Sequence, residues 1–302
     1  QGQIEKRDSL EGSAFIDFPV DQTVIYPGYR RNTAELGKIQ SSIDSVRSDM
    51  DITITSVWLK GYASPESPYA HNKELAIGRT AALKKHIQQL YRFEGDMITT
   101  DYEPEDWAGL RRYVERSNLE HRTRIIALID GNLEPDAKEW KIKSTCPEEY
   151  RFLLQNCYPA LRRTDYRIAY TIRSYSDVEE IKRIMRERPQ KLNLNEFYLV
   201  AQEYEPGTDE FTEVFETAVR MFPDDTAANL NAANAAMRRG DLTGAKRYLA
   251  KAGDSPEAVY ARGALAIWQK DYDSVRRYLT EAKSLGLEQA GVTLEQLEKG
   301  RR

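Results

Sequence analysis

Residues 61–87 read GYASPESPYAHNKELAIGRTAALKKHI. The second half of that stretch puts Leu75, Leu83 and Ile87 on one helical face, because steps of three, four and seven residues return to nearly the same angle. Asn72 and Arg79 fall on that face too. A guanidinium beside an apolar stripe must be paired or must reach the mouth of a cleft, since a buried unpaired charge is costly. Its planar fork suits a carboxylate. Two partners are open to it: an acid of the chain itself, with Asp101, Glu103 and Glu105 as candidates, or a carboxylate on a ligand.

Working outward, DITITSVWLK (51–60) reads as a strand whose apolar parity changes between Ile54 and Val57, which predicts a bulge or burial on both faces. SAFIDFPVDQTVI (13–25) reads as an earlier strand through Phe15, Ile16, Phe18 and Val20, ended by the Pro27-Gly28 turn signal. NTAELGKIQSSIDSVRSD (32–49) places Leu36, Ile39, Ile43 and Val46 on one helical face, and Asn32 and Glu35 have capping-box spacing at its start. Downstream come a short strand at MITTDY (97–102), a helix at EDWAGLRRYVERS (105–117) and an apolar run, TRIIALID (123–130), fit for a central strand. YRIAYTIRSY (166–175) alternates cleanly, with Ile168, Tyr170 and Ile172 on one face. Residues 1–175 are therefore expected to form an α+β domain, a βαβαβ mixed sheet with helices on one face and an insertion near 131–165.

From 176 to 302 only helical periods remain, and they repeat. Phe211, Phe215, Ala218 and Pro223 recur in type as Ala245, Leu249 and Ala252, then as Val275, Leu279 and Ala282. RGDL (239–242) and QKDY (269–272) occupy equivalent turns, and small residues at Ala232, Ala233, Ala236 and Gly263 fall where paired helices pack closely. This half resembles a tetratricopeptide-like array of about three units, with TLEQLEKG (293–300) as a capping helix. Its groove residues are expected to include Asn231, Asn234, Arg238, Tyr260 and Trp268, an amide, cation and aromatic mixture suited to a protein partner.

The first half also resembles a family. The OmpA-like C-terminal domain, which binds the peptide stem of peptidoglycan, carries G-H-T-D-x-x-G-x-x-x-x-N-x-x-L-S-x-x-R-A on a strand-to-helix junction; here Gly61, Asn72, Leu75 and Arg79 match it in type and spacing. The resemblance covers about residues 13–173. It implies that Arg79 and Asn72 contact the carboxylate end of diaminopimelate. The family's amine-binding aspartate is Ser64 here, its H-T pair is Tyr62-Ala63 and its second glycine is Ser67, with Glu66 two residues from Ser64 as a possible substitute. The family's basic N-R-R-V motif has two candidate equivalents, HRTRII (121–126) and LRRTDYRI (161–168). A Gram-negative periplasmic or outer-membrane location follows from the resemblance. The alternative is an envelope scaffold whose OmpA-like domain has lost peptidoglycan binding.

With 40% hydrophobic and 30% charged residues, the 302-residue chain has the composition of a water-soluble globular protein. A formal charge of -4 supplies no field to draw nucleic acid. Gln1 fits a chain from which a signal peptide has been removed, and it is not the cysteine a lipoprotein would acylate. Cys146 and Cys157 flank PEEYRFLLQN, and a straight helix of that length would hold them about 16 Å apart, too far for a disulfide, so free thiols are expected. His71, His86 and His121 match no zinc or triad spacing, and there is no G-x-S-x-G, P-loop or dinucleotide fingerprint. The carboxylates of EPED (103–106) read as acids at a helix N-terminus. No catalysis, metal or cofactor is expected.

Overall fold

The computed structural model describes residues 5–300. Among them the chain forms fifteen α-helices and one four-stranded mixed sheet, an α+β fold. It divides into two compact units between Arg173 and Ser174.

The first unit runs β1 (Lys6–Ala14), α1 (Asn32–Arg47), β2 (Ile52–Tyr62), α2 (Tyr69–Tyr91) and β3 (Ile98–Glu103). Five helices follow, α3 (Trp107–Arg116), α4 (Arg122–Asp130), α5 (Pro135–Thr145), α6 (Pro147–Asn156) and α7 (Tyr158–Leu161), and then β4 (Arg163–Ile172). The sheet order is β1-β4-β2-β3, parallel only between β2 and β3. Alternation sends Val57 and Leu59 of β2, and Tyr166 and Ile168 of β4, to one face. There they pack against Leu36, Ile39, Ile43 and Val46 of α1 and Leu83 and Ile87 of α2. The parity change in β2 is a register shift against β4 between Ile54 and Ser56. It lets Ile54 and Val57 serve the same core.

Several expectations fail here for physical reasons. The first strand is not 13–25 but the polar segment KRDSLEGSA, which gains its order from antiparallel pairing with β4 and turns Leu10 and Ala14 inward. Beyond Phe15 the chain breaks at Pro19, whose carbonyl accepts the Gln22 N–H, and at Asp21, with φ +59°. TRIIALID is helical: Ile125 and Ile129, four residues apart, are buried in a separate core with Leu110, Val114 and Leu153. An eight-residue apolar run fits either period, and here helical neighbours decide it. Five helices, a helical layer from Trp107 to Leu161, accordingly stand between β3 and β4, and the expected insertion near 131–165 falls on the last three of them. Asn32 makes no capping box; Arg31 holds the N-cap position of α1. Leu75 is only half-buried, and the core face of α2 runs instead through Asn72, Ala76, Thr80, Leu83 and Ile87. Cys146 and Cys157 are buried free thiols.

The second unit contains α8 (Val178–Glu187), α9 (Leu194–Ala201), α10 (Asp209–Met221), α11 (Thr226–Arg238), α12 (Leu242–Leu249), α13 (Pro256–Trp268), α14 (Tyr272–Ser284) and α15 (Glu288–Lys299). The proposed cap at 293–300 is the latter part of α15. Turns after α11 and α13 close alike. Asp241 N–H reaches Ala236 O at 2.9 Å and Asp271 N–H reaches Ala266 O at 3.0 Å, the six-to-one bond of a Schellman ending. The same two aspartates then cap the next helices, accepting from the N–H groups of Gly244 and Ser274. Ala232, Ala233 and Ala236 are buried, and a Cβ on Gly263 would meet Leu279 of α14 at 3.0 Å.

Candidate functional site

The junction from β2 to α2 is drawn tight by two glycines. A Cβ at Gly61 would stand 1.9 Å from Thr80 Oγ1, so only hydrogen there lets β2 lie against α2. A Cβ at Gly78 would meet Thr23 Cγ2 at 2.7 Å, so the segment between β1 and α1 can lie on α2. Asn32 ties that segment down from the other side. Its fully buried amide accepts from Asp17 N–H at 2.7 Å and donates to the carbonyls of Asp17 and Tyr26 at 2.9 and 3.0 Å.

Between this wall and the loop after β2 lies a cavity of about 240 Å³. Arg79, Asn72, Ser64 and Glu66 line it, together with Leu75, Phe18 and two cations the motif did not single out, Arg30 and Arg162. Arg79 is half-buried. Its Nε donates to Gln22 O at 3.1 Å and its guanidinium lies over the Phe18 ring, 4.9 Å from the centroid. Burial first, and then the neighbouring Arg162, pull its pKa below the usual arginine value, while Asp21 and Glu66 act the other way. Both acids are already engaged: Asp21 with His71 Nε2 at 2.7 Å, and Glu66 with Arg162. Among the described residues no carboxylate stands within ion-pairing distance of Arg79.

The internal acids considered for Arg79 are placed elsewhere. Glu103 lies 3.5 Å from Lys60, and Asp101 accepts the Tyr102 N–H. Glu105 is buried and accepts from Asn72 Nδ2 at 2.7 Å and Trp107 Nε1 at 3.0 Å. Burial raises its pKa above the ordinary carboxylate value, against those two hydrogen bonds. Asn72 also donates to Ser67 O at 2.8 Å, so both amide hydrogens are committed to holding the loop and Glu105. Its place is beneath the cavity, as a positioning group.

Ser64 is buried. Its hydroxyl donates to Glu66 Oε2 at 3.1 Å and accepts from Arg162 Nε at 3.0 Å. Where an acid stands in the OmpA-like pattern, this chain thus has a serine, a glutamate and an arginine bonded to one another. Tyr62 does not join them. Its ring lies under the Arg163 guanidinium, 4.0 Å from the centroid, and it does not line the cavity. Of the two basic stretches, LRRTDYRI delivers Arg162 to the cavity, while HRTRII enters α4. Arg163 turns to Asp106, at 2.6 Å, in a pair that also caps α3 through Gly109 N–H. A wider groove of about 890 Å³ opens beside α3, lined by Arg112, Arg116 and Phe152 among others, and contains none of the candidate residues.

In the second unit a cavity of about 470 Å³ gathers Asn234, Arg238, Tyr260 and Trp268, with Met237 and Glu257 beside them. Trp268 is 58% exposed, and the Tyr260 hydroxyl lies 3.0 Å from Thr293 Oγ1. Asn231 is not part of it; its side chain bonds back to Ala227 O within α11.

Compared with known protein families and with curated proteins, the chain gives no match.

Proposed function

We propose that the protein is a non-catalytic binding protein of the cell envelope, whose first unit is OmpA-like and holds the carboxylate of a peptidoglycan stem peptide at Arg79. The single observation carrying this reading is the half-buried guanidinium at the mouth of a cavity with no carboxylate partner among the described residues. A fixed fork of donors already partly desolvated is suited to a planar anion. Arg162 adds positive charge, and Asn72 holds the loop on which Ser64 and Glu66 stand. The second unit, read as tetratricopeptide-like, supplies a concave aromatic and cationic surface around Trp268 and Arg238 for a protein partner.

Sedimentation with purified peptidoglycan tests the first part. The wild type is expected to be retained and Arg79→Ala to lose affinity by about tenfold or more, the weight of one charge-assisted contact. Equal retention of both proteins removes Arg79 from the site. One observation favours a second reading, an envelope scaffold that no longer binds peptidoglycan: Arg162 occupies Ser64 and Glu66, where a ligand ammonium would otherwise be met. No retention of either protein, with capture of a membrane partner sensitive to Asn234→Ala and Arg238→Ala together, selects it.

A further inference from the structure

The helical layer of the first unit brings together three side chains that lie far apart in sequence or in different elements. His121 precedes α4, Cys146 joins α5 to α6, and Glu149 sits in the first turn of α6. Their ligand atoms, an imidazole nitrogen, a thiol sulfur and a carboxylate oxygen, all lie within 4.8 Å of one another. We propose that His121, Cys146 and Glu149 form a binding site for a thiophilic divalent transition-metal ion, zinc being the natural occupant.

The donor set selects the ion. Sulfur and imidazole nitrogen favour zinc and its neighbours, while calcium and magnesium prefer oxygen alone. Neutral imidazole, thiolate and carboxylate together carry two negative charges, which balance a divalent cation. Three protein ligands are the usual complement where a fourth position stays open to water. His121 is half-exposed while Cys146 is buried, so the cluster faces solvent on one side and is backed by protein on the other.

The donors are also held. Cys146 sits between two helices, its N–H bonded to Ile142 O and its carbonyl accepting the Tyr150 N–H, each at 2.9 Å. Glu149 Oε2 accepts the backbone N–H of His121 at 3.1 Å, while Oε1 meets the imidazole Nδ1. Such outer contacts orient ligand atoms. Ligand bonds of roughly 2.0–2.3 Å require these donors to rearrange by about an ångström around the ion, replacing the direct contact between His121 and Glu149. As the ion binds, the proton of the Cys146 thiol leaves to solvent, and the neutral imidazole of His121 carries its own proton on the ring nitrogen that does not face the ion. Arg124 lies near the thiol and opposes the incoming charge.

Titration of the metal-free, reduced full chain with Co²⁺ tests this directly. One equivalent should generate the charge-transfer band of a cobalt–thiolate bond, and Zn²⁺ should displace it. Cys146→Ser should abolish the band, and His121→Ala should weaken binding by about 100-fold. Cys157→Ser and His86→Ala should leave it unchanged. Because Cys146 is buried, the half-exposed His121 supplies the variant least tied to folding. Zn²⁺ should raise the melting temperature of the wild type and of Cys157→Ser, but not of His121→Ala. The absence of a thiolate band, or equal binding by wild type and His121→Ala, overturns the proposal.

Discussion

Replacing Gly61 by alanine is expected to damage the first unit through one contact. The new Cβ would stand 1.9 Å from Thr80 Oγ1, 3.2 Å from Thr80 Cβ and 3.3 Å from Ala76 O. Thr80 cannot simply turn away, because it is buried and its hydroxyl donates to Ala76 O at 2.6 Å. Either that bond breaks or β2 moves off α2. Overpacking of this kind costs about 1–3 kcal/mol, and we expect about 2. Thr80→Ala alone removes a buried methyl and a hydrogen bond but gains the higher helix propensity of alanine inside α2, for a net cost of about 1 kcal/mol. Together the two changes should cost about 1–2 kcal/mol, less than their sum, because the collision with the hydroxyl has gone. The coupling energy should therefore exceed about 1 kcal/mol. Urea unfolding followed by tryptophan fluorescence provides the measurement, since Trp58, Trp107 and Trp140 lie in this unit, and midpoints are comparable while the m-value holds. Additive losses, or a Gly61→Ala variant as stable as the wild type, would refute the reasoning that this glycine exists to let strand and helix touch. The same shift displaces α2, so the alanine variant should also bind peptidoglycan less well under the proposed function, and Thr80→Ala should partly restore it.

Three further outcomes follow from buried polar groups. Glu105 has a raised folded pKa, so the folded state holds its proton more tightly than the unfolded chain and stability from this group falls as pH rises from the ordinary carboxylate value through the folded one. Subtracting the pH–stability curve of Glu105→Gln from that of the wild type should isolate this downward slope; a flat difference rejects it. Asp106→Ala should cost about 2 kcal/mol in urea unfolding, because it takes from the largely buried Arg163 one of its two carboxylate partners, Asp165 remaining at 3.0 Å, and uncaps α3, whereas Arg111→Ala, which breaks an exposed pair, should leave the urea midpoint nearly unchanged. Tyr158 is fully buried and its hydroxyl has no hydrogen-bond partner among the described residues, so Tyr158→Phe should raise stability by about 1 kcal/mol, and a loss of that size would show that the hydroxyl has a partner after all.

Much of the first unit was legible where one period dominated. β2 announced its bulge, α1 its buried face, and the Gly61-to-Arg79 spacing led to a cavity holding four of the five residues named from it. Tyr62 was misplaced because one step along a strand reverses a side chain's face, and its ring went to Arg163. β1 escaped notice because its order comes from a partner strand far along the chain, and KRDSLEGSA carries little apolar signal of its own. Arg162 belonged to a basic stretch that was noticed, but its bonds to Ser64 and Glu66 span the whole helical layer, and no local pattern encodes that distance. The cluster of His121, Cys146 and Glu149 escaped for the same reason. In the second unit, matched turn sequences at RGDL and QKDY foretold matched hydrogen bonds, because a helix ending is specified within a few residues.

The clasp made by Asn32 separates two kinds of information in the chain. It grips the wall of the Arg79 cavity by backbone atoms of Asp17 and Tyr26, without regard to the side chains those residues carry. The wall side chains at Phe18, Val20 and Arg30 can therefore be exchanged while the sheet, α1 and α2 stay as they are. Under the proposed function, part of the selectivity is thus written in a short segment that the fold holds by its backbone, so a descendant or a designer can alter that part of the cavity without having to solve the folding problem again.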